Sequence, residues 1–593
     1  MSCPHTTPFL GLLTAFALSA APVAAQQPPA PHSRTSGAAA SADSLALERL
    51  IDTLPLRDRV AQLVMPWIPG AYAAFDDSAF TVLQGWVDSL HVGGIIVSVG
   101  SPLDVALKLN RLQQRSRLPL LIAADLEAGS SFRLTGGTPF PTNMGIAAAG
   151  GERDAYDVGR ITALEGRAVG IHLTFSPVAD INNNPANPII NTRSFGEDPN
   201  EVARLVFASI RGLQDNGMLA TAKHFPGHGD TSTDSHLLLP VISAPWSRLD
   251  TLELAPFRAA IQAGVAVVMS GHLAMPALAS DRSLPATLDP AILTGLLRDS
   301  LGFSGMVVTD ALDMGALVNT YGAGEAVVMA FLAGADLLLQ PSDPRVAIDA
   351  MVTAIESGRI PSERLDRSLR RVLQAKRQAG LFTRRTMPLD SVPEVVGSRR
   401  FLATARDITE RSIVLAADAT GTVDSLRAAP RKVALITYGE ENAFTLGNTF
   451  ARVLRQGGHE VTSFRLFPAT GAAGLDSARA VVRRNRYVII AASVRISASK
   501  GPVGLPDPVV RFIEATAVRR RTVLVAFGSP YIGMQVHRLR SYLLAWSPNP
   551  LSEAAAGRAL TGVAPITGHL PVRIPPAFPL GAGLVRGLTT GLN

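Results

Sequence analysis

Residues 223–236 read KHFPGHGDTSTDSH, a stretch that places a lysine, three histidines and two aspartates within one short polar run between apolar segments. Two chemistries compete for those groups. In the first, His224 and His228, backed by Asp230, Asp234 and His236, hold a divalent metal. An i, i+4 histidine pair shares one face only on a helix, and Pro226, Gly227 and Gly229 break a helix here. Lys223, beside the first imidazole, would also repel a cation, so no metal is expected. In the second, Asp234 and His236 form a proton-transfer pair. Side chains two apart in extended chain point the same way. A carboxylate on one ring nitrogen fixes the tautomer and raises basicity, which frees the other nitrogen to trade a proton near neutral pH. A surface turn in which Asp234 merely caps the backbone is the plain alternative.

Asp310 is the third reactive element. It follows the apolar and β-branched run Met306–Thr309 and should stand where a buried strand ends. A carboxylate there can attack a carbon centre or stabilise a cation. Paired with a proton donor across a glycosidic bond, it supplies what a retaining glycosidase needs. Asp313 competes for the role, but its place one turn further on suits a helix cap.

The elements that must carry these groups are legible as alternation. Eight short apolar runs, at 60–68, 93–100, 120–127, 171–180, 219–227, 265–272, 306–314 and 335–341, are separated by stretches of helical period such as LDVALKLNRLQQRSR. This pattern predicts an α/β chain with an N-terminal (β/α)8 barrel over 44–380, a doubly wound open sheet being the rival. Asp125 and Glu127, Asp180, Lys223 and His224, His272, and Asp310 with Asp313 all fall at the carboxyl ends of these runs, where a barrel gathers them at one mouth. Residues 381–430 read as a connector. From 431 to 593 a second α/β pattern begins, with buried parallel strands in KVALITYG, YVIIAASVR, TVLVAFGSPY and SYLLAWSPNP, which predicts a C-terminal α/β sandwich domain with a mostly parallel sheet. No glycine-rich phosphate loop is present in nucleotide-binding context.

Composition narrows the class. The 593 residues are 47% hydrophobic and 17% charged, enough to bury two or three cores. The net charge of +7 is spread as single arginines, with no run that tracks a phosphate backbone, so no nucleic-acid partner is expected. Lysine occurs only at 108, 223, 376, 432 and 500, which marks Lys223 as a position where a compact ammonium has a use. Residues 1–25 have an apolar core and the small-residue ending Ala24-Ala25, the pattern of a secretory signal. The apolar core is too short to span a bilayer, so no stable membrane insertion is expected after its removal. Cys3, the lone cysteine, would leave with it. Residues 26–43 are rich in Pro, Ala and Ser and read as a flexible linker. Nothing in the sequence speaks to oligomeric state.

Several motifs together carry a resemblance. KHFPGHGDTSTDSH, SFGEDP (194–199), GMVVTDALDM (305–314) and LPVRIPPAFPLGAGL (570–584) resemble glycoside hydrolase family 3, and within it the bacterial β-N-acetylglucosaminidases. The resemblance covers the chain from about residue 50 to near its end. Taken with the signal at 1–25, which implies a secreted or periplasmic location, it implies a retaining exo-β-N-acetylhexosaminidase that needs no cofactor and acts on peptidoglycan fragments or chitin oligomers. It further implies Asp310 as nucleophile, His236 as acid/base with Asp234 as its orienting partner, and Asp125, Arg133, Arg193, Lys223 and His224 as sugar-binding residues. His228 would shape the loop, and the loop would be mobile. A β-glucosidase, a phosphorylase, and a non-catalytic wall-binding relative are the alternatives. One departure stands out: where the family reads Asp-x-Glu-Gly-Gly-Arg, this chain has DLEAGS, with Ala128 for a glycine and Ser130 for the arginine, which could alter the sugar subsite.

Overall fold

The computed structural model describes residues 37–495 and 503–589. The signal expected at 1–25 and most of the expected linker lie outside the described residues. Contacts divide the chain between Leu50 and Ile51. Of the first unit, residues 37–50 are described and are helical, in Gly37–Thr53. The linker expectation therefore fails over 37–43, where the Ala-rich sequence GAAASAD has the propensity to wind rather than stay open.

The second unit holds everything else. Its first half contains β1 (Val64–Met65), β2 (Trp67–Ile68), β3 (Gly94–Val97), β4 (Leu121–Ala124), β5 (Leu173–Thr174), β6 (Thr221–Phe225), β7 (Val267–Ser270), β8 (Met306–Thr309) and β9 (Leu338–Leu339). Each of the eight expected runs yields a strand, with β1 and β2 sharing the first run on either side of Pro66. Helices separate them, among them Pro102–Arg115, Pro199–Gln214 and Ser362–Gln378. All pairings are parallel, in the orders β2-β3-β4-β5, β6-β7-β8 and β1-β9. The expected closed ladder is thus met only as three arcs. Single bridges, Leu173↔Leu219 and Val308↔Leu337, run between the arcs. The strands are too short for more: four of them span two residues, and Pro66 has no N–H to offer a ladder.

Buried charge holds the back of β8 and β9. Asp336, fully buried just before β9, accepts from the backbone N–H of Val307 at 2.9 Å and from Arg298 at 2.6 Å, and Arg371 lies at 3.0 Å. One carboxylate so fastens the strand that leads into Asp310 to the helices behind it.

The second half is built on β10 (Val414–Asp418), β11 (Lys432–Tyr438), β12 (Glu460–Leu466), β13 (Tyr487–Ala492), β14 (Arg521–Ala526) and β15 (Ser541–Leu544). Their order is β10-β15-β14-β13-β11-β12, parallel except for β10 against β15. Alternate residues enter two apolar clusters, Ala434, Ile436, Val488 and Ile490 in one and Val433, Leu435, Ile489 and Val523 in the other, so both faces are covered. The boundary expected at 431 is too late, because β10 lies inside the segment assigned to a connector. It is the antiparallel edge strand, joined to β15 rather than to its sequence neighbours. Met144 and Ala148, from the helix Asn143–Ala149 of the first half, enter the same cluster as Trp546 and Ile436, so the two halves share a core.

Candidate active site

One cavity of about 620 Å³ opens at the carboxyl ends of the parallel strands, a size suited to a small ligand. Seven of the eight expected residues line it: Asp125, Arg133, Arg193, Lys223, His224, His236 and Asp310. The eighth, Asp234, is buried behind His236.

The floor is a charge network. Lys223, in β6 and 3% exposed, places Nζ 2.8 Å from Asp125 and 2.8 Å from Glu127. Burial alone would lower its pKa, but the two carboxylates outweigh that and raise it, so it stays an ammonium. Arg193 grips Glu127 with both arms of its guanidinium, at 2.9 and 2.7 Å. Burial opposes the charge on Glu127, yet Arg193 and Lys223 hold its carboxyl well below the usual range. Arg133 reaches Asp125 at 3.2 Å. His224 is fixed by Asp180, which is fully buried and accepts at 2.7 Å from Nδ1 and at 3.1 Å from the backbone N–H. Its Nε2 faces Arg193 at 3.4 Å.

Asp310 follows β8 directly and is half-buried, facing the cavity. Burial would raise its pKa, but the imidazoles of His224 and His272, the N–H of Ala311 at 2.8 Å and the ammonium of Lys223 bring it down to about 2. It is therefore a carboxylate at any working pH. His272 sits behind it, with Nε2 donating to the Ala311 carbonyl at 2.9 Å and Nδ1 receiving Thr287 at 2.8 Å.

The Asp234–His236 pair forms as expected. Asp234 accepts from His236 Nδ1 at 2.8 Å and from the His236 N–H at 2.8 Å, which turns Nε2 outward, with the ring half-buried in the cavity wall. The loop before it is not free. His228 is buried, with Nδ1 on Thr231 and Nε2 on Ser235, and its backbone N–H donates to Asp180 at 2.7 Å. Asn187 takes the carbonyls of His228 and Gly229, and Arg248 holds Asp230 at 2.6 Å. Gly229 lies so close to the Ile181 carbonyl that a Cβ would stand 1.6 Å from it. A mobile loop was expected throughout; residues 224–229 are instead buried and pinned, and exposure begins at Ser232 and returns at Leu237 and Leu238.

Two further readings change. Asp313 caps no helix: Met314 precedes the helix Gly315–Tyr321, and Asp313 instead accepts from Gln340 at 3.0 Å. Ser130 is fully buried and hydrogen-bonds Glu165, away from the cavity. The departure at 130 therefore serves packing under the site. Glu127 and Asp180 organise the floor; the sequence places both at the ends of apolar runs but gives neither a role in the site. Glu127 has the signal of standing two residues beyond Asp125, and Asp180 that of closing an apolar run. The second half also reaches the cavity, through Arg495, Gly528 and Trp546–Asn549, which no motif announced.

Burial keeps His228 neutral: its pKa is lowered to about 4, chiefly by desolvation and then by His224. His172 and His272 are also lowered, by burial first. The unfolded chain takes up protons below about pH 6.5 while these folded imidazoles refuse them, so stability falls as pH drops from about 6.5 toward 4, by on the order of 3 kcal/mol from His228 alone. Melting temperature across this window should fall steadily, and His228→Asn should flatten the slope; a wild-type melting temperature constant from pH 7 to 4.5 would refute it.

Comparison with known proteins agrees with this geometry. Residues 55–375 match the family described as Glycosyl hydrolase family 3 N terminal domain. A "Beta-N-acetylglucosaminidase/beta-glucosidase" of Cellulomonas fimi is 32% identical over 503 residues, 82% of this chain and 88% of the relative. The solved family 3 β-N-acetylglucosaminidase of Paenibacillus sp. str. FPU-7 superposes with a TM-score of 0.79 at 34% identity, covering 88% of this chain and 99% of the other. A β-glucoside phosphorylase, BglX, superposes with a TM-score of 0.82 at 25% identity, over 90% of this chain and 96% of that one.

Proposed function

Since the chain belongs to glycoside hydrolase family 3 and is an enzyme of that hydrolase class, we propose that it is a retaining exo-β-N-acetylhexosaminidase releasing terminal β-linked N-acetylglucosamine. The carrying observation is that an ionised Asp310 and the His236 of the Asp234–His236 dyad line one cavity. We read the three strand arcs as sectors of a (β/α)8 barrel, supported by their shared parallel sense and the bridges between them.

In this mechanism Asp125, Lys223, His224, Arg133 and Arg193 grip the hydroxyls of the terminal sugar. Asp310 attacks the anomeric carbon while protonated His236 gives its Nε2 proton to the departing oxygen, and Asp234 stabilises the imidazolium. His236 then takes a proton from water, which displaces Asp310. The net anomeric configuration is retained. Substrates would be peptidoglycan fragments or chitin oligomers, and the signal-like residues 1–25 support a secreted or periplasmic location.

A panel of aryl N-acetyl-β-glucosaminide and aryl β-glucoside, each with and without phosphate, tests the reading. The expected result is preferred hydrolysis of the first to free sugar. Because an imidazole does not repel an anion as a carboxylate would, phosphorolysis is the second reading, favoured by the likeness to BglX; accumulation of a sugar phosphate would establish it. His236→Ala should lose ~10²–10⁴-fold on a disaccharide but far less on an aryl glycoside, whose leaving group needs little protonation. Equal losses on the two would contradict the proton-donor role.

A further inference from the structure

Lys223 lies between Asp125 and Glu127, Arg193 is on Glu127, and Arg133 is on Asp125. Each of these charges on the floor of the cavity has a partner. Arg495 is different. It lines the same cavity, is exposed, and makes no ion pair or hydrogen bond among the described residues.

Its position follows from the second sheet. The strand order β10-β15-β14-β13-β11-β12 reverses direction at β11 and β13, since the chain steps from β11 outward to β12 and then crosses back to β13. In an open α/β sheet, the crevice beyond the carboxyl ends at such a reversal is where ligands bind. The backbone N–H of Ser493 donates to the Tyr438 carbonyl at 2.8 Å, continuing the β11–β13 pairing just past β13, and Arg495 stands two residues beyond it. The backbone there is fixed: the Val494 carbonyl accepts from Ser529 at 2.9 Å, and Gly528, at φ +155°, comes so close that a Cβ would lie 2.1 Å from the same oxygen. The chain that leads to Arg495 is thus held up to the residue before it.

An exposed side chain that lines a cavity stands at its mouth. In an exo-acting glycosidase the terminal sugar fills the closed end, and the leaving half of the substrate projects through the mouth. We propose that Arg495 is a specificity-determining residue for that leaving half, receiving a carboxylate carried on the departing sugar. This deepens, and rests on, the glycosidase reading above. A guanidinium suits the partner because its planar fork meets a carboxylate with two parallel hydrogen bonds.

The test compares kcat/KM for two disaccharides of N-acetylglucosamine whose reducing sugar bears either an ether-linked carboxylate or its methylamide. Wild type should favour the acid by about tenfold, Arg495→Ala should bring the ratio to about one, and Arg495→Lys should keep part of it. A wild-type ratio near one, or a preference that survives in Arg495→Ala, overturns the inference. The aryl N-acetyl-β-glucosaminide separates the two levels. Its hydrolysis by a wild type indifferent to the carboxylate leaves the glycosidase reading standing and this inference refuted, whereas no turnover of any substrate sinks the glycosidase reading itself. Inorganic phosphate is the rival anion: a phosphate-stimulated rate, with sugar phosphate as product, that is lost in Arg495→Ala would assign the arginine to a free acceptor and refute the aglycone role.

Discussion

Asp310→Asn lowers kcat/KM for an aryl N-acetyl-β-glucosaminide by ~10⁴-fold or more, and the fold, which loses a stabilising charge, melts somewhat lower at neutral pH. The substitution keeps the shape and an oxygen to accept the Ala311 N–H, but removes the charge that His224, His272 and Lys223 were arranged to hold. The loss should fall on kcat for an aryl substrate, because Asp125, Lys223 and Arg193 still bind the sugar. Asp310→Ala in the presence of azide sharpens the assignment. Azide fills the space of the carboxylate, attacks the anomeric carbon from the same face, and the aglycone leaves with its bonding electrons, giving the inverted glycosyl azide. Retained activity in Asp310→Asn, or no azide product from Asp310→Ala, would move the nucleophile elsewhere. A pH consequence follows as well. With Asp310 at about 2 in the fold against an ordinary value near 3.9, its ionised form contributes stability above the ordinary carboxylate range, and that contribution disappears as pH falls toward 2. The acid limb of kcat/KM above about pH 3 therefore cannot arise from this group.

The site was legible because its residues sit at the ends of apolar runs. Burial on both faces makes such strands stand out, and a polar residue at their carboxyl end has no structural reason to be there. The local pair Asp234–His236 was legible for the same reason of short range: two residues in extended chain fix their own geometry. What escaped was set by tertiary contact. β10 gained its partner β15 from more than a hundred residues away, and β12 is an edge strand whose side chains alternate too weakly to mark it. The loop at 224–229 reads as flexible from its prolines and glycines. Its glycines instead permit close packing, and Asp180, Asn187 and Arg248 supply the fastening from elsewhere in the chain. Ser130 looked like a lost arginine of the subsite, yet its hydroxyl belongs to the buried carboxylate of Glu165. Arg495 could not be seen at all, because only the packing of one half on the other brings the end of β13 to a cavity built mainly by the first.

Glu127→Ala is the second large effect, and it tests the floor rather than the chemistry. Glu127 is 6% exposed and is the sole carboxylate that Arg193 grips with both arms; Lys223 shares it with Asp125. Its removal leaves a half-buried guanidinium without the carboxylate it grips and a buried ammonium with one of its two partners. Breaking a buried pair from one side costs about 3–5 kcal/mol, far more than the pair contributes net, because the abandoned charge must stay desolvated or drag its strand toward water. Lys223 heads the segment that leads to His236, and Arg193 faces His224 at 3.4 Å, so the disturbance reaches every sugar-gripping residue. Glu127→Ala should therefore lower both melting temperature and kcat/KM, with KM rising. Glu127→Gln keeps the shape and some of the hydrogen bonds and should recover part of the stability but little of the affinity, since a neutral amide cannot balance two cations. Asp125→Ala provides the contrast. Asp125 is partly exposed, and Lys223 retains Glu127 when it is gone, so that variant should lose sugar affinity while melting near wild type. If Glu127→Ala melts like wild type, the floor is not held by this carboxylate, and that role passes to Asp125 and Asp180.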